Sequence, residues 1–571
     1  MKRIFVIILS FVSTFLCASP VSESRARDFA MEFFGGLQTR SSSADVRLVW
    51  SGNVFGGEKT DGEALMYIYN SVGSDGFVII SGESGVRPVI ACSRETSFNL
   101  KNMSPATRAL LEAWCRQIES VRNCKTTSES VASEEENVFG NIVQKYDTPL
   151  WGQGEPFNLE APVYDGMRCV SGCVATAMSI LAYCNSWPIA GSGTTPEYEY
   201  DGKYVPENVL GREYAYDDML MSYSEGYTEQ QGNAVAALMK DMGTAVQMMY
   251  GVGESGAFDS SVPYALVTYM GYSKNTRLSN AYSYDYSEWM SMLKANIDEC
   301  GPMYYSGRSQ IGGHAFIIDG YTDADYFSIN YGWDGINNGY YLLPDIEFYS
   351  GQMALFDAVP DRNGTSQFVD YLMLIQANDY RGLQTLTDKY ETGVPFECVI
   401  SGIYNMGLQP FEGQIKISLC DSKGNIKEDL ATKPYMCRLN SDVVDNIPIP
   451  VVINNEICLG DRLRLFYKGK YSEDWQYLRG YDNVTVSEII LASTSEQIVD
   501  GMLLYWSKDS KIMTVEANVA IQCEVDGNGR KTGASAWPYS PAVFSLADFP
   551  PGEYVLRVTS GDDPYELVIV L

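Results

Sequence analysis

From about residue 361 to its C-terminus the chain is written in short alternating apolar and polar runs. Gln414-Ile-Lys-Ile-Ser418, Arg462-Leu-Arg-Leu-Phe466 and Tyr554-Val-Leu-Arg-Val558 are examples, with turns such as Asp421-Ser-Lys-Gly-Asn425 and Asp526-Gly-Asn-Gly529 between strands. A two-residue period places every second side chain on one face, the pattern of a half-buried strand. This third of the molecule therefore reads as all-β, in two sandwich-type domains over 361–489 and 490–571. Upstream the pattern is mixed. Arg25 to Phe34 has the period of an amphipathic helix. Ala64-Leu-Met-Tyr-Ile-Tyr69 and Gly76-Phe-Val-Ile-Ile-Ser81 read as strands joined at Ser-Asp-Gly. Pro105 to Arg122 is a second helix, with Leu110, Leu111, Trp114 and Ile118 on one face. A chain of 571 residues that changes period in this way holds several domains, three or four at roughly 150 residues each.

Two segments punctuate it. Lys2 and Arg3 precede an apolar run, Ile4 to Leu16, that exits at Cys17-Ala18-Ser19. A basic start, an apolar stretch of about 13 residues and small residues after it make a secretory signal over 1–18. The run is shorter than the ~20 residues a membrane span needs, so the mature protein is expected to carry no span. Residues 125–137, Lys-Thr-Thr-Ser-Glu-Ser-Val-Ala-Ser-Glu-Glu-Glu-Asn, are polar and acidic, an exposed linker open to cleavage. The segment 19–137 is thus a small α+β unit with a severable tail, and 138–360 is a second mixed unit.

Charge narrows the function. The chain has 41 basic and 72 acidic residues, a net of −31, which argues against nucleic acid or an anionic membrane as partner. It has one histidine, His314, which excludes metal sites built on two or more imidazoles and leaves one candidate for imidazole chemistry. Of the 13 cysteines, none falls in a C-x-x-C spacing. If one of the twelve that follow the signal is a free nucleophile, the remaining eleven cannot all pair within the chain, and most are expected as buried thiols.

Three segments carry candidate chemistry. In Ser171-Gly-Cys173-Val-Ala-Thr-Ala-Met-Ser-Ile-Leu-Ala-Tyr183, Val174, Met178 and Leu181 repeat at helical spacing, so a buried helix begins at or beside Cys173. A thiol there feels the positive end of the helix dipole, and the thiolate is the nucleophile. Taken alone, a cysteine on an apolar helix is more often a packing residue, and Cys169 and Cys184 are read that way. The second segment is Gly312-Gly313-His314-Ala-Phe-Ile-Ile-Asp319, followed by Tyr326-Phe-Ser-Ile-Asn330-Tyr-Gly-Trp333. A hairpin turning over 320–325 and centred on 322 would set His314 directly opposite Asn330, with Cβ atoms ~5 Å apart. An Asn oxygen could then accept the imidazole N–H and fix its tautomer. From these residues alone, a satisfied core His beside a strand-end Asn is the plainer reading. The third is Trp151-Gly-Gln153-Gly-Glu-Pro-Phe-Asn158, where Gln153 could offer an amide N–H to an oxyanion. By itself a loop Gln says nothing.

Together these residues resemble the streptopain family of secreted bacterial cysteine peptidases. Gly172-Cys-Val-Ala-Thr-Ala177 through Tyr183-Cys-Asn-Ser-Trp-Pro188 is similar to its nucleophile helix, and Gly313-His-Ala-Phe-Ile-Ile-Asp-Gly320 with Asn330-Tyr-Gly-Trp-Asp-Gly335 and Asn338-Gly-Tyr340 to its His segment. Gln153-Gly-Glu-Pro-Phe-Asn158 resembles the oxyanion loop, and Tyr250-Gly251 through Ser255-Gly-Ala257 the substrate-cleft loop. Where the family carries Trp after the Asn, this chain has Tyr331. The resemblance implies a papain-like catalytic domain over 138–360. It implies catalytic roles for Cys173, His314, Asn330 and Gln153, and substrate contacts from Gly313, Gly256, Ser255 and Trp333. No metal and no cofactor is implied, and an apolar residue two positions before the cut is. Residues 19–137 resemble the family's propeptide, itself similar to the inhibitor proteins of these enzymes. The last stretch, Leu546 to Leu571, resembles bacterial C-terminal secretion domains.

The expectation is an α+β molecule: propeptide, papain-like unit, C-terminal β sandwiches. Its function is that of a secreted or cell-surface endopeptidase zymogen acting on proteins or peptides, with its own propeptide as partner in cis. Two alternatives share the sequence: an acyltransferase or transglutaminase on the same dyad, and a non-enzymatic surface adhesin.

Overall fold

The computed structural model describes residues 20–35, 45–53, 64–83, 88–93, 96–100, 105–123 and 140–570. Within that last span, 310–311, 378–379, 388–389, 422, 440–441, 444–446, 459–460, 482–486, 492–495, 500–501, 508–511, 518–520, 528–529, 537–541, 547–548, 550–552 and 561–562 fall outside the description. The signal segment 1–18 and the acidic linker 125–137 lie outside the described residues, as do 422 and 528–529 in the two C-terminal turns named above.

The chain divides into two compact units. The first comprises residues up to Val143 together with Tyr321–Ile329 and Ile336–Glu347. The helix expected over 25–34 runs Glu23–Gly35, and its Ala26 and Ala30 are fully buried against a sheet. Small residues at that spacing let a helix lie close to strands. The sheet begins Val46–Gly52, Met66–Ser71, Phe77–Ser81, Val89–Ser93 in antiparallel order, with Met66 paired to Ser81 and Asn70 to Phe77, so the turn centres on Gly73-Ser74 and not on the Asp75-Gly76 step. Strand Val89–Ser93 then pairs with Gly339–Leu342, placing Tyr341 opposite Ala91 and Tyr340 opposite Cys92. The helix Pro105–Asn123 buries Leu111, Trp114 and Ile118, as its period requires. The first unit thus takes in 339–342 together with the N-terminal strands. The outer strand of the N-terminal sheet leaves a row of N–H and C=O groups, and 339–342 satisfies them.

The second unit holds Gln144–Gly320, Asn330–Gly335 and Phe348–Leu571. Helices Cys173–Asn185, Glu229–Ala245, Val262–Met270 and Tyr286–Cys300 accompany an antiparallel sheet of Gly313–Thr322, Met303–Arg308, Ser350–Phe356 and Arg277–Asn280. Val174, Met178, Leu181, Leu238, Met242, Leu266, Tyr304 and Ile317 share one core cluster. In the C-terminal third, Phe411–Cys420 pairs with both Ile426–Cys437 and Arg462–Gly469 around Ile415, Ile417, Leu463 and Leu465. From Glu496 onward two four-stranded sheets enclose Val515, Val525, Leu556 and Val558. Helices and sheets thus alternate in the first two thirds, and strands dominate the last.

The hairpin register differs from expectation. Strand Gly313–Thr322 continues past Asp319, so the turn is confined to 323–325. Asp325 N bonds Thr322 O, and the Thr322 hydroxyl accepts from Ala324 N and Tyr326 N. A hydroxyl that satisfies two turn amides lets the strand run longer than its apolar pattern shows. A turn centred on 324 and not on 322 no longer sets His314 directly opposite Asn330.

Candidate active site

The helix begins at Cys173, capped by Gly172 at φ 89°. A Cβ on Gly172 would sit 2.7 Å from Met248 Sδ, so both the left-handed backbone and the close approach require glycine there. The Cys173 thiol is half-buried. The N–H groups of Ala315, Val174 and Cys173 itself favour its thiolate, but burial outweighs them and the nearby Asp259 carboxylate adds to it, so the thiol is pushed up to about 11. Asp259, just past the loop 250–257, is held by the Tyr304 hydroxyl, which donates to its Oδ1. Ser306 pairs opposite Ala315, and Tyr304 lies two residues back on the same face. Asp259 was not read from the sequence, since nothing in a lone Asp after an apolar Phe marks it.

His314 follows Gly313 into the same strand, opposite Gly307. It is 7% exposed. Trp333 lies 4.5 Å away centroid to centroid at 33°, and Phe348 5.0 Å at 35°. Nε2 lies 2.8 Å from the main-chain oxygen of Tyr331. A carbonyl only accepts, so Nε2 carries the proton and Nδ1 is left as the basic nitrogen. Burial in this aromatic enclosure pulls the imidazole down to about 4, against the opposing pull of the Tyr331 carbonyl. Cys173 sits against the amide of the residue next to His314, yet thiol and imidazole do not hold each other's charge in this form of the chain.

Asn330 is 1% exposed and its side chain turns elsewhere. Its Nδ2 donates to Thr148 Oγ1 at 3.0 Å and to Pro149 O at 2.9 Å, and its Oδ1 accepts from Gly332 N at 3.1 Å. Among the described residues, no hydrogen bond joins Asn330 to His314. Gln153 is brought to the helix start by its carbonyl, which accepts from Ser171 N at 3.0 Å. Its side-chain amide has no hydrogen-bond partner among the described residues and remains free to donate. Ser255 Oγ donates to Val170 O at 2.8 Å and accepts from Gly251 N at 2.9 Å, tying the cleft loop to the segment that enters the helix. Gly256 bridges Met249, and Gly313 is exposed at the strand's edge.

Cys169 is fully buried, and burial pushes Cys184 up to about 12. Cys115, Cys169, Cys173, Cys184, Cys300, Cys398, Cys420, Cys458 and Cys523 are free thiols. No helix among the described residues is long and apolar enough to cross a membrane.

Residues 151–341 match the Peptidase C10 family, and residues 18–118 match the Spi protease inhibitor family. Streptopain of Streptococcus pyogenes is 27% identical over 377 residues, covering 60% of this chain and 92% of that protein. Thiol protease/hemagglutinin PrtT of Porphyromonas gingivalis is 29% identical over 362 residues, covering 60% of this chain and 41% of that one. A solved fragment of prointerpain A from Prevotella intermedia superposes with a TM-score of 0.44 at 24% identity, over 56% of this chain and 99% of the fragment. The two family matches lie in the order inhibitor, then peptidase, so over these residues the chain is similar to cysteine peptidases of the streptopain type that are made with an N-terminal inhibitory propeptide.

Proposed function

We propose that the chain is an exported endopeptidase zymogen in which Cys173 attacks the scissile carbonyl. His314 Nδ1 takes the thiol proton as the C–S bond forms, and returns it to the leaving amine as the C–N bond breaks. Water then adds to the thioester, giving its proton to the same nitrogen, and the acid product leaves with the thiol restored. The Cys173 N–H and the Gln153 amide donate to the oxyanion. Asn330 keeps the imidazole oriented. Ser255, Gly256, Gly313 and Trp333 line the substrate's path, and the catalytic unit is papain-like over 138–360.

One observation carries the reading. The half-buried thiol opens a buried helix and lies against the amide adjoining the chain's sole imidazole. In the full-length chain the imidazole is engaged by the Tyr331 carbonyl and the thiol is protonated at neutral pH. Removal of 19–137 is the event that lets the two pair as thiolate and imidazolium. The signal-like start supports export to the extracellular space or cell surface. The β domain over 361–489 takes no part in peptide hydrolysis, and the domain over 490–571 serves secretion.

The test is casein digestion by purified protein, with and without a thiol alkylator, and mass-spectrometric mapping of all new termini. Alkylator-sensitive internal cleavage together with a new terminus in 125–137 is the expected result. Casein left intact by a protein that has lost its propeptide would refute the reading.

A further inference from the structure

Asp319 closes the His segment, is 2% exposed, and has no part in the chemistry above. Its Oδ2 receives Lys145 Nζ at 3.0 Å and the Thr148 hydroxyl at 2.5 Å. Thr148 is itself buried, 7% exposed, and is the residue whose Oγ1 meets Asn330 Nδ2. These contacts have only one consistent set of proton positions. A carboxylate accepts and cannot donate, so the single hydroxyl proton of Thr148 is committed to Asp319. Its lone pairs then face Asn330 and can only accept. Pro149 O likewise only accepts. Both protons of the Asn330 amide are therefore assigned, and the amide cannot flip without losing two buried hydrogen bonds. That leaves Oδ1 on the other side, where it accepts Gly332 N and closes a tight turn with Tyr331 at its middle. The Tyr331 carbonyl emerges from this turn 2.8 Å from His314 Nε2.

We propose that Lys145, Asp319 and Thr148 form a positioning relay which, through Asn330, aims the Tyr331 carbonyl at His314 and so fixes the imidazole tautomer that catalysis uses. These are positioning residues. The relay's catalytic consequence rests on His314 being the general base. Lys145 pairs with Asp319, Asp319 fixes the Thr148 proton, Thr148 fixes the amide, and the amide fixes the turn. Asp319→Asn is the informative change, because an amide in that place can donate to Thr148. The hydroxyl is then free to donate onward, which favours the flipped Asn330 and undoes the turn.

The sole histidine makes the test direct. Full-length chain carrying Cys173→Ala stays uncut, and 15N labelling of its one imidazole reports the ring protons. The parent should show a slowly exchanging Nε2–H bonded to a carbonyl. Asp319→Asn and Thr148→Val should speed that exchange at least tenfold, while Thr148→Ser keeps the parental spectrum. In protein with Cys173 intact, the same two variants should lower kcat for peptide hydrolysis at least tenfold with KM within twofold. The alkaline limb of kcat should move to lower pH, because the carbonyl that supports the imidazolium is no longer aimed. Should Asp319→Asn or Thr148→Val fail to fold, Lys145→Met, at a side chain that still reaches solvent, gives the same reading. An unchanged ring spectrum and alkaline limb in folded variants overturn the relay. The ring spectrum needs no activity, so failure of the peptidase reading, which would appear as an inert parent with Cys173 intact, is separately visible.

Discussion

The two ends of the helix Cys173–Asn185 each carry a thiol, at Cys173 and Cys184, one turn or less from a terminus. Both are pushed upward by burial, to about 11 and about 12. What separates them is polarity. At the start, unspent N–H groups of the helix and of Ala315 point at the sulfur and favour negative charge. At the end, the Asp319 carboxylate disfavours it. Burial is thus a poor guide to which cysteine reacts. The direction of nearby dipoles and charges decides.

The largest expected effect breaks the comparison outright. Cys173→Ala should abolish peptide hydrolysis and leave the precursor uncut, while Cys184→Ala and Cys169→Ala retain activity. Measured turnover of a fluorogenic peptide by all three settles it, and equal loss in Cys184→Ala would mean that helix polarity does not select the nucleophile.

Next is the base. His314→Gln should cost roughly 10²–10⁴ in kcat, the usual range for a positioned general base. Substitution of Asn330 by Ala should cost less, because it removes orientation and leaves the base. The kcat ratio of the two variants checks this ordering.

A smaller effect sharpens the electrostatics at the helix start. Asp259→Asn removes the carboxylate facing Cys173, so the thiol should ionise at lower pH. Iodoacetamide labelling of the full chain at pH 8–9 should speed up several-fold at Cys173, with Cys184 an unreactive internal control. A Cys173 rate equal to that of the parent would show that Asp259 does not act on the thiol.

The smallest effect is on stability. His314 in the folded chain is held down to about 4, below its ordinary value near 6.5. Between those values the unfolded chain binds a proton that the folded chain does not. Stability is therefore full above pH 6.5 and falls as pH drops toward 4, by about 3 kcal/mol at most. Denaturant unfolding at pH 7 and pH 4.5 should show this slope in the parent and lose that share of it in His314→Gln.

Much of the site was legible because its signals are local. The period of Val174, Met178 and Leu181 placed a helix start at Cys173, and the strand patterns of 64–69 and 76–81 placed the hairpin that the structure forms from Met66–Ser71 and Phe77–Ser81. The partner of His314 was not legible. Strand length there depends on the Thr322 hydroxyl and not on apolar alternation, so the expected opposition to Asn330 gave way to a bond with the neighbouring main chain. The pairing of 89–93 with 339–342 was equally hidden, since an open strand edge carries no sequence mark of which strand will fill it.

By itself the sequence determined that this chain has one imidazole, a thiol at a helix start and an alternating β third, since each follows from residue identity or from spacing within a dozen positions. Only the tertiary structure decided which ring nitrogen is basic, that Asp259 faces the thiol and that Asp319 reaches Asn330 through Thr148. Those contacts join residues far apart in the chain, and their proton positions are fixed by what donors and acceptors meet after folding.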